Sequence, residues 1–284
     1  MNILVLGATG MAGHTISLYF AEKGHKVTAF SNTPFTFCDN IVGDAFDEAF
    51  VRKMVVSDNY DAVINCIGIL NKSADENKAA AVYLNSYLPH MLVSALKNTD
   101  TKVIHMSTDC VFSGVRGEYC ETDFQDGETF YDRTKALGEI NDSKNLTFRN
   151  SIIGPDINSN GIGLFNWFMK QKSEIKGYAS AIWTGVTTLT LAKAMERAIE
   201  DNLTGLYNLV NNESISKYNL CSLFNKYFKN NELKIKPDYD VKTNKSLKNT
   251  RKDFKFIVPV YEDMVVDMKE WVIAHRGLYS HYEI

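Results

Sequence analysis

A run of three regularly spaced glycines directly behind an apolar strand constrains the fold more than any other feature of this sequence. Residues 2–6 form a short apolar run, as expected for a strand that is buried on both faces. Gly7, Gly10 and Gly13 follow at once, and a helical pattern then continues to Lys23. Strand, glycine turn and helix in this order provide the context that a dinucleotide-binding turn requires.

Each glycine of the turn has a physical role in that interpretation. Gly7 permits the tight turn, Gly10 lets the backbone approach a pyrophosphate, and Gly13 lets the helix pack closely on the sheet. The amino terminus of the helix would face the phosphates. Together with Gly7 and Gly10, we predict that Thr9 and Met11 contact the cofactor. The spacing is G-x-x-G-x-x-G rather than G-x-G-x-x-G, and a simple tight turn is the alternative.

Composition limits the class of protein. The chain has 284 residues, 45% of them hydrophobic and 23% charged, which suffices for one large α/β domain with or without a smaller lobe. The formal net charge of -3 does not indicate the basic surface that nucleic-acid binding requires. No apolar run approaches the roughly 20 residues of a membrane helix. The five cysteines form no C-x-x-C pair, and the sequence opens without the basic segment of a signal peptide. We therefore expect free thiols, no metal site and a cytoplasmic protein.

Strand and helix patterns alternate along most of the chain. Apolar runs predict further strands at 26–30, 41–45, 61–65, 103–106, 146–150 and 205–210. Helical patterns cover 47–57, 75–97, 188–201, 217–228 and 261–274. This alternation predicts an α/β fold with a Rossmann-type doubly wound parallel sheet. We assign residues 1–155 and 184–210 to this NAD(P)-binding domain, and residues 156–183 and 211–284 to a smaller mixed α/β substrate-binding lobe.

The residues that end the second predicted strand bear on the choice of cofactor. Ser31 and Asn32 stand where an Asp or Glu would bond the ribose 2′-hydroxyl of NAD. No acid repels a 2′-phosphate there and no Arg binds it, so we expect NADP(H) to be preferred and NAD(H) also to be used. After the third strand, Asp44 could cap the helix over 47–57 or accept from the adenine amino group, two roles that are compatible, and Ala45 lies beside it.

The turn after the fourth predicted strand belongs to the same pocket. Cys66, Ile67 and Gly68 follow the strand at 61–65, and their backbone atoms would line the nicotinamide half of the cofactor. We interpret Cys66 as a small packing residue rather than a nucleophile. In the long helical pattern that follows, Asn85 either ties the active-site strand to this helix or is simply exposed.

Two segments supply the hydroxyl groups and the Tyr–Lys pair of one predicted active site. Ser107 and Thr108 follow the strand at 103–106, and ligands of open α/β sheets bind outside the carboxyl ends of the strands. Tyr131 and Lys135 lie four residues apart, so on a helix they share one face. An ammonium group beside a phenol would lower the phenol's pKa from about 10. The phenol could then protonate a carbonyl oxygen that also accepts from Ser107 or Thr108. A chance spacing is the alternative.

These motifs resemble those of the extended short-chain dehydrogenase/reductases, and within them the dTDP-4-dehydrorhamnose reductase (RmlD-like) branch. The matching segments are residues 7–13, 107–114, 117–123, 131–139 and 246–251, and the resemblance covers nearly the whole length. It implies hydride transfer from NAD(P)H to the keto carbon of a nucleotide-activated 4-keto-6-deoxy sugar, in the synthesis of a deoxysugar for a surface polysaccharide. The cofactor would supply the hydride, and the protein would position the substrate and polarise its carbonyl group.

The resemblance also implies roles for individual residues. Tyr131 would donate the proton. Lys135 would lower the pKa of Tyr131 and bind the nicotinamide ribose. Thr108 would hydrogen-bond the sugar oxygen, with Ser107 and Asp109 in support.

The chain departs from the family pattern at several positions. Cys110 replaces the tyrosine of the motif, and Asp132 replaces the glycine that usually follows the catalytic tyrosine. Ile152 stands where the family has a tryptophan near the sugar, so the sugar pocket differs there. Phe112 and Asn150 belong to the segments that frame the site, and we expect both on the substrate side.

Other residues and functions leave alternatives open. Trp183 either walls the sugar or base pocket or packs between the lobes. Arg251 either binds the substrate diphosphate as a bidentate donor or lies on the surface. A sugar-nucleotide epimerase or epimerase–reductase would use the same scaffold, and so would a non-catalytic NADP-binding regulatory subunit, although the intact Tyr131 and Lys135 argue against the latter. A nucleotide-diphosphate sugar is the expected partner, and a homodimer is left open.

Overall fold

A computed structural model describes all 284 residues, 1–284, and contains 14 strands and ten α-helices. The strands are β1 (Asn2–Leu6), β2 (Lys26–Ser31), β3 (Asp39–Val42), β4 (Ala62–Asn65), β5 (Lys102–Ser107), β6 (Leu146–Arg149), β7 (Ile152–Ile153), β8 (Ile175–Tyr178), β9 (Ala181–Trp183), β10 (Val186–Thr187), β11 (Gly205–Asn208), β12 (Ile215–Ser216), β13 (Ile235–Asp238) and β14 (Thr243–Asn244). The α-helices are α1 (Met11–Glu22), α2 (Glu48–Val55), α3 (Asn71–Glu76), α4 (Lys78–Ala81), α5 (Leu88–Ala95), α6 (Phe130–Leu137), α7 (Leu164–Met169), α8 (Thr188–Glu200), α9 (Lys217–Phe228) and α10 (Tyr261–Ala274). A π-helix spans Val82–Tyr87 and a 3₁₀-helix spans Asp109–Val111.

Seven strands form one parallel sheet in the order β11-β6-β5-β4-β1-β2-β3. The chain order reverses between the neighbours β1 and β4, and open α/β sheets bind their ligands at this topological switch point. The carboxyl ends of β1 and β4 carry the two turns that were predicted to hold the cofactor. The prediction of a Rossmann-type doubly wound parallel sheet is confirmed.

Helices cover both faces of this sheet and produce two apolar cores. On one face α1 packs against α8, and the larger core also takes in residues of α9 and α10. On the other face α2 and α5 cover the smaller core. Successive residues of β1 point to opposite faces, with Ile3 and Val5 in the larger core and Leu4 and Leu6 in the smaller one. The sheet is therefore buried on both faces, as its apolar strands indicated.

Three small sheets and the helices α7, α9 and α10 complete the chain. β8 pairs with β13, β7 pairs with β10, and β9 lies between β12 and β14. β11 joins the central sheet beside β6, whereas residues 211–284 contribute no strand to that sheet. The division into a Rossmann domain and a substrate lobe at the boundaries given above stays a prediction.

Two predicted elements differ from the structure. The third strand occupies Asp39–Val42 rather than 41–45, and the helix expected over 75–97 is divided into α3, α4, the π-helix and α5. In the π-helix, the buried Asn85 accepts from Ile69 N and donates to Ile69 O, both at 2.9 Å. Asn85 therefore ties the loop after β4 to this helix, and it is not exposed. None of the helices combines the length and the hydropathy that crossing a membrane would require.

Candidate active site

The glycine turn brings α1 against the end of β1 and leaves no room for a side chain at Gly13. Gly7 has φ +79°, in the region that favours glycine, and its N–H donates to Phe30 O at 2.8 Å. A Cβ on Gly13 would lie 2.1 Å from Gly7 O, so α1 can approach only because Gly13 has no side chain. A Cβ on Gly10 would meet nothing closer than Gly7 O at 3.4 Å, so this face of the turn is open.

The amino terminus of α1 is available to a ligand. Gly10 occupies the N-cap position and no side chain caps the helix. The first N–H groups of a helix have no partner within the helix, and together with the helix dipole they suit a phosphate or a pyrophosphate. Gly10, Met11 and Ala12 line a cavity at this point. The residues present therefore fit the dinucleotide that the sequence predicted.

The cavity lies at the switch point of the sheet and has a volume of about 570 Å³. This is a usual size for a small-molecule site. Its walls come from the glycine turn, the turn after β4, the residues after β5, α6, and the stretch from 150 to 163. The predicted site residues that it brings together are Gly10, Met11, Cys66, Ile67, Gly68, Ser107, Thr108, Asp109, Tyr131, Lys135 and Asn150.

Tyr131 is held at the start of α6 by a capping box. Thr129 Oγ1 accepts from Asp132 N at 3.1 Å, and Asp132 Oδ2 accepts from Thr129 N at 3.2 Å. Asp132, the departure from the family's glycine, therefore fixes the helix that carries the tyrosine. The ring of Tyr131 packs against Ala74 and Ala81, and this burial raises the pKa of the phenol. Tyr131 is thus a protonated phenol at neutral pH.

Lys135, one turn further along α6, reaches towards β5. Its Nζ donates to Met106 O at 2.6 Å and lies 3.5 Å from His105 Nε2. Burial lowers the pKa of Lys135 to about 8, and burial also holds the pKa of His105 well below its ordinary value. The predicted lowering of the Tyr131 pKa by Lys135 is not found, because the desolvation of the phenol dominates and acts in the opposite direction.

Ser107 forms a hydrogen bond with a buried ion pair behind the cavity. Its Oγ donates to Glu139 Oε1 at 2.6 Å, and Glu139 pairs with the fully buried Arg149, with Nη2 and Oε2 2.6 Å apart. The hydroxyl hydrogen of Ser107 is therefore committed to Glu139. Ser107 presents lone pairs to the cavity, and it is poorly placed to donate to a substrate oxygen.

Thr108 is the hydroxyl on the Tyr131 side of the cavity. Its Oγ1 donates to Asp109 Oδ1 at 3.1 Å and accepts from Cys110 N at 3.2 Å. The neighbouring Thr108 hydroxyl lowers the pKa of Tyr131 and so partly offsets the effect of burial. Burial raises the pKa of the neighbouring Cys110 to about 12, so Cys110 is present as a thiol. Of the two predicted hydroxyls, Thr108 is the one beside Tyr131, and its 3.1 Å hydrogen bond to Asp109 is longer than the 2.6 Å bond from Ser107 to Glu139. By turning away from Asp109, its hydroxyl can share an oxygen with Tyr131.

Asn150 follows β6 and brings an unsatisfied amide to the cavity wall. The residue is 3% exposed, and neither Nδ2 nor Oδ1 has a hydrogen-bond partner. Buried polar groups are usually bonded, and leaving one unpaired costs roughly 1–3 kcal/mol. A ligand hydroxyl group in the cavity could accept from Nδ2 or donate to Oδ1, whereas a ligand carbonyl group could only accept from Nδ2. Asn150 is therefore placed as its prediction on the substrate side requires.

The remaining predicted cofactor positions lie outside the cavity, at the same edge of the sheet. They are Gly7, Thr9, Ser31, Asn32, Asp44 and Ala45. The Ser31 hydroxyl donates to Thr33 O at 2.7 Å, and Asn32 is exposed. Because β2 and β3 lie next to β1 in the sheet, the adenosine half of a dinucleotide would cross these positions. Their contacts with the cofactor stay predictions.

The cap of α2 differs from its prediction. Asp44 Oδ1 accepts from Phe46 N within the preceding turn, whereas Asp47 Oδ1 accepts from Phe50 N at 3.0 Å and caps the helix. The prediction of Asp44 as the cap is wrong because α2 begins one residue after Asp47. Asp44 is exposed, and its second predicted role, as an acceptor for adenine, stays open.

Phe112 and Trp183 belong to the protein interior and not to the cavity. The ring of Phe112 stacks on Tyr119 with centroids 4.2 Å apart, and the Arg149 guanidinium covers it at 4.9 Å. Trp183 is buried against Tyr261, with centroids 5.7 Å apart. Neither lines the cavity, so the expected substrate contact of Phe112 is corrected. Trp183 is a packing residue, but its partner Tyr261 belongs to the same predicted lobe, so the contact does not show packing between the lobes.

Arg251 is also engaged elsewhere. Its Nη1 donates to Thr204 O at 2.7 Å and to Leu206 O at 2.9 Å, and its Nε donates to Asp253 Oδ1 at 3.0 Å. The guanidinium therefore fastens its own segment to β11 and does not reach the cavity. The prediction that Arg251 binds a diphosphate is not supported by this placement.

The loop that forms the outer wall of the cavity was not predicted from the sequence. Asp156, Asn158, Gly161 and Gly163 line the cavity, and a Cβ on Gly163 would lie only 2.9 Å from Met11 Sδ. The asparagine- and glycine-rich turn was visible in the sequence and was assigned to the substrate lobe. Nothing local indicated that it faces α1.

Comparison with known proteins agrees with this geometry. The family model described as the RmlD substrate binding domain matches residues 1–252. A dTDP-4-dehydrorhamnose reductase of Mycolicibacterium smegmatis is 37% identical over 142 residues, 49% of this chain and 40% of that protein, so the match spans less than half the length of that relative. A dTDP-4-dehydrorhamnose reductase of Burkholderia thailandensis is 29% identical over 74% of this chain and 72% of its own length.

A solved structure shows the same fold along nearly the whole chain. The dTDP-4-dehydrorhamnose reductase of Bacillus anthracis in complex with NADP superimposes with a TM-score of 0.79 at 18% identity, over 94% of this chain and 98% of that one. Because the family model covers most of the sequence and the glycine turn, Thr108, Tyr131 and Lys135 meet at one cavity, the chain belongs to the RmlD substrate binding domain family.

Proposed function

We propose that this chain is an NAD(P)H-dependent reductase of a nucleotide-activated 4-keto-6-deoxy sugar, in deoxysugar and surface-polysaccharide synthesis. The observation that carries the proposal is that one cavity of about 570 Å³ is lined both by the open glycine turn and by Thr108, Tyr131 and Lys135. Relatives that bear the name dTDP-4-dehydrorhamnose reductase support the substrate class.

The cofactor side favours NADP(H), with NAD(H) also accepted. Gly10 leaves space beside the uncapped start of α1 for a pyrophosphate. No carboxylate follows β2, where Ser31 and Asn32 stand, so a 2′-phosphate meets no repulsion. A related fold binds NADP in the Bacillus anthracis protein. The bound nicotinamide would supply the hydride to the keto carbon.

Residues on the substrate side of the cavity donate the proton and bind the sugar and the ribose. Tyr131, which burial keeps protonated, donates its phenolic hydrogen to the keto oxygen as that oxygen gains charge. Thr108 donates a second hydrogen bond to the same oxygen once its hydroxyl hydrogen turns away from Asp109 Oδ1. Lys135 keeps N–H groups for a ribose hydroxyl, because Met106 O occupies only part of its bonding capacity. The unsatisfied amide of Asn150 binds a sugar hydroxyl.

The direct test is cofactor oxidation with a panel of substrates. The protein is mixed with NADPH, and separately with NADH, and with dTDP- and UDP-linked 4-keto-6-deoxyhexoses, and the absorbance of the reduced nicotinamide is followed. We expect consumption with at least one nucleotide form and faster turnover with NADPH. Interconversion of sugars without net consumption of cofactor would indicate an epimerase, and the absence of any reaction would contradict the proposal.

We place the protein in the cytoplasm, where its five free thiols would remain reduced. A homodimer stays an open prediction, which sedimentation at several protein concentrations would decide.

A further inference from the structure

Residues 275–282, here called the clamp segment, connect to both walls of the cofactor side of the cavity, directly at Asp156 and through His14 at Gly10. The family model ends at residue 252, so the segment lies outside the part of the chain that the family model matches. Two of its tyrosines, Tyr279 and Tyr282, are buried and are three residues apart. One connects to the glycine turn and the other to the loop over 156–163.

Tyr279 reaches the glycine turn through His14 of α1. The Tyr279 hydroxyl lies 2.8 Å from His14 Nε2, and His14 Nδ1 lies 3.0 Å from Gly10 O. Trp271 Nε1 donates to the Tyr279 hydroxyl at 3.1 Å. These contacts join α10, the clamp segment and α1 to the glycine that faces the predicted pyrophosphate.

The direction of each hydrogen bond in this chain is fixed. Gly10 O can only accept, so His14 Nδ1 carries the hydrogen, and burial lowers the pKa of His14 to about 4, which keeps the ring neutral. His14 Nε2 must then accept, so Tyr279 donates to it while it accepts from Trp271. Every member is satisfied. The Gly10 carbonyl accepts from the backbone N–H of His14 at 3.0 Å, and it is held in addition by a chain of bonds that begins 261 residues away.

Tyr282 holds the opposite wall. Its hydroxyl accepts from Asp156 N at 2.9 Å, and its ring packs edge-on against Phe165 with centroids 5.4 Å apart. Asp156 opens the loop that ends at Gly163, which lies directly against Met11 at the start of α1. The two tyrosines therefore set the positions of facing parts of one opening.

We propose that the clamp segment positions the cofactor side of the cavity, with Tyr279 orienting the Gly10 carbonyl through His14 and Tyr282 holding the loop over 156–163 against α1. The inference rests on the proposed function for the identity of the ligand, a nicotinamide dinucleotide. Tyr279 and Tyr282 are positioning residues, because neither lines the cavity.

The test compares Tyr279→Phe and Tyr282→Phe with the parent protein. Each change keeps the packed ring and removes only the hydroxyl. We expect the Kd for NADPH, measured by calorimetry, to rise roughly tenfold, since one lost hydrogen bond is worth about 1.4 kcal/mol or less. With saturating NADPH, kcat should stay within about twofold. Hydrogen exchange should accelerate at residues 10–13 in Tyr279→Phe and at Asp156 in Tyr282→Phe.

Tyr261→Phe is the matched control, because Tyr261 is equally buried and its hydroxyl donates to Glu213 O, away from the cavity. It should lower stability without changing the Kd or the exchange at either wall. The proposed role of the clamp segment would be overturned if both test variants kept the parent's Kd for NADPH and its hydrogen-exchange rates. A loss of stability without a change in either quantity would also overturn it. If Tyr279→Phe does not fold, Tyr282→Phe decides by itself. A parent protein that binds neither NADPH nor NADH would overturn the proposed function, and the exchange data would still decide the clamp.

Discussion

At the scale of single residues, Tyr131 combines burial with contact to a cavity. Removing its hydroxyl should lower kcat roughly 10²–10⁴-fold, the range that general acid catalysis contributes. The Kd for NADPH should change little, because the backbone of the glycine turn provides the phosphate contacts. Steady-state kinetics and calorimetry on Tyr131→Phe measure the two quantities separately.

Tyr83→Phe is a suitable control for that change. The Tyr83 hydroxyl is buried without a hydrogen-bond partner, and the residue does not line the cavity. Its removal should leave kcat unaltered. A Tyr131→Phe protein as active as the parent would refute the proton-donor role.

From the lowered pKa of Lys135 we expect activity to fall at alkaline pH. Burial places its pKa at about 8, below the ordinary 10.5, so the ammonium group loses its proton as the pH rises through about 8. A neutral amine binds a ribose hydroxyl more weakly and no longer stabilises negative charge near the keto oxygen. We therefore expect kcat/KM to be constant from pH 6 to about 7 and to fall above about 8. The pH profile of the purified protein checks this.

Lys135→Arg identifies the group responsible for that limit. Arginine stays charged throughout the range, so the fall near pH 8 should disappear even if the rate is lower at every pH. An unchanged fall in this variant would assign the titration to another group. Tyr131 is not such a candidate, since burial raises the pKa of its phenol.

At the scale of elements, two glycines of one turn should respond differently to the same substitution. Gly10 has φ −82°, and a Cβ there would make an ordinary contact at 3.4 Å, so Gly10→Ala should alter the free energy of unfolding by no more than about 0.5 kcal/mol. The methyl group would occupy the space for a pyrophosphate, and the Kd for NADPH should rise by at least about tenfold.

Gly13→Ala should instead destabilise the fold. Its Cβ would lie 2.1 Å from Gly7 O, so α1 must move away from β1, at a cost of roughly 1–3 kcal/mol or more. Thermal unfolding and NADPH titration of the two variants separate the effects. Equal stability of both variants would contradict the close packing of α1 on the turn.

The same elements show what the sequence could predict. The glycine turn, α9 and α10 depend on local patterns, and their predicted bounds agree with the structure within a residue or two. The division of the helix over 75–97 could not be foreseen, because Asn85 finds its partner, Ile69, in another loop. The site was predictable where its residues follow strands, as with Thr108 and Asn150. Arg251 was misplaced because its carbonyl partners, Leu206 in β11 and Thr204 just before it, are 45 and 47 residues distant in sequence.

At the scale of the whole molecule, the larger core runs from β1 and α1 through α8 to α10 and the clamp segment. A continuous core of this kind predicts one cooperative unfolding transition, even though the chain is assigned to two lobes. Met268 of α10 is 1% exposed within this core, whereas Ile273 on the same helix is 53% exposed. Substitutions at these two residues compare a buried and an exposed side chain on the same helix.

Met268→Ala should lower the free energy of unfolding by roughly 2–5 kcal/mol, the cost of truncating a buried side chain, and Ile273→Ala by no more than about 0.5 kcal/mol. If the core is one unit, circular dichroism and the loss of NADPH binding will report the same midpoint in Met268→Ala. NADPH at a hundred times its Kd should then restore about 2.7 kcal/mol to that variant, although no residue of α10 lines the cavity. Two separate midpoints, with only the one that reports cofactor binding raised by NADPH, would show that α10 unfolds independently of the glycine turn.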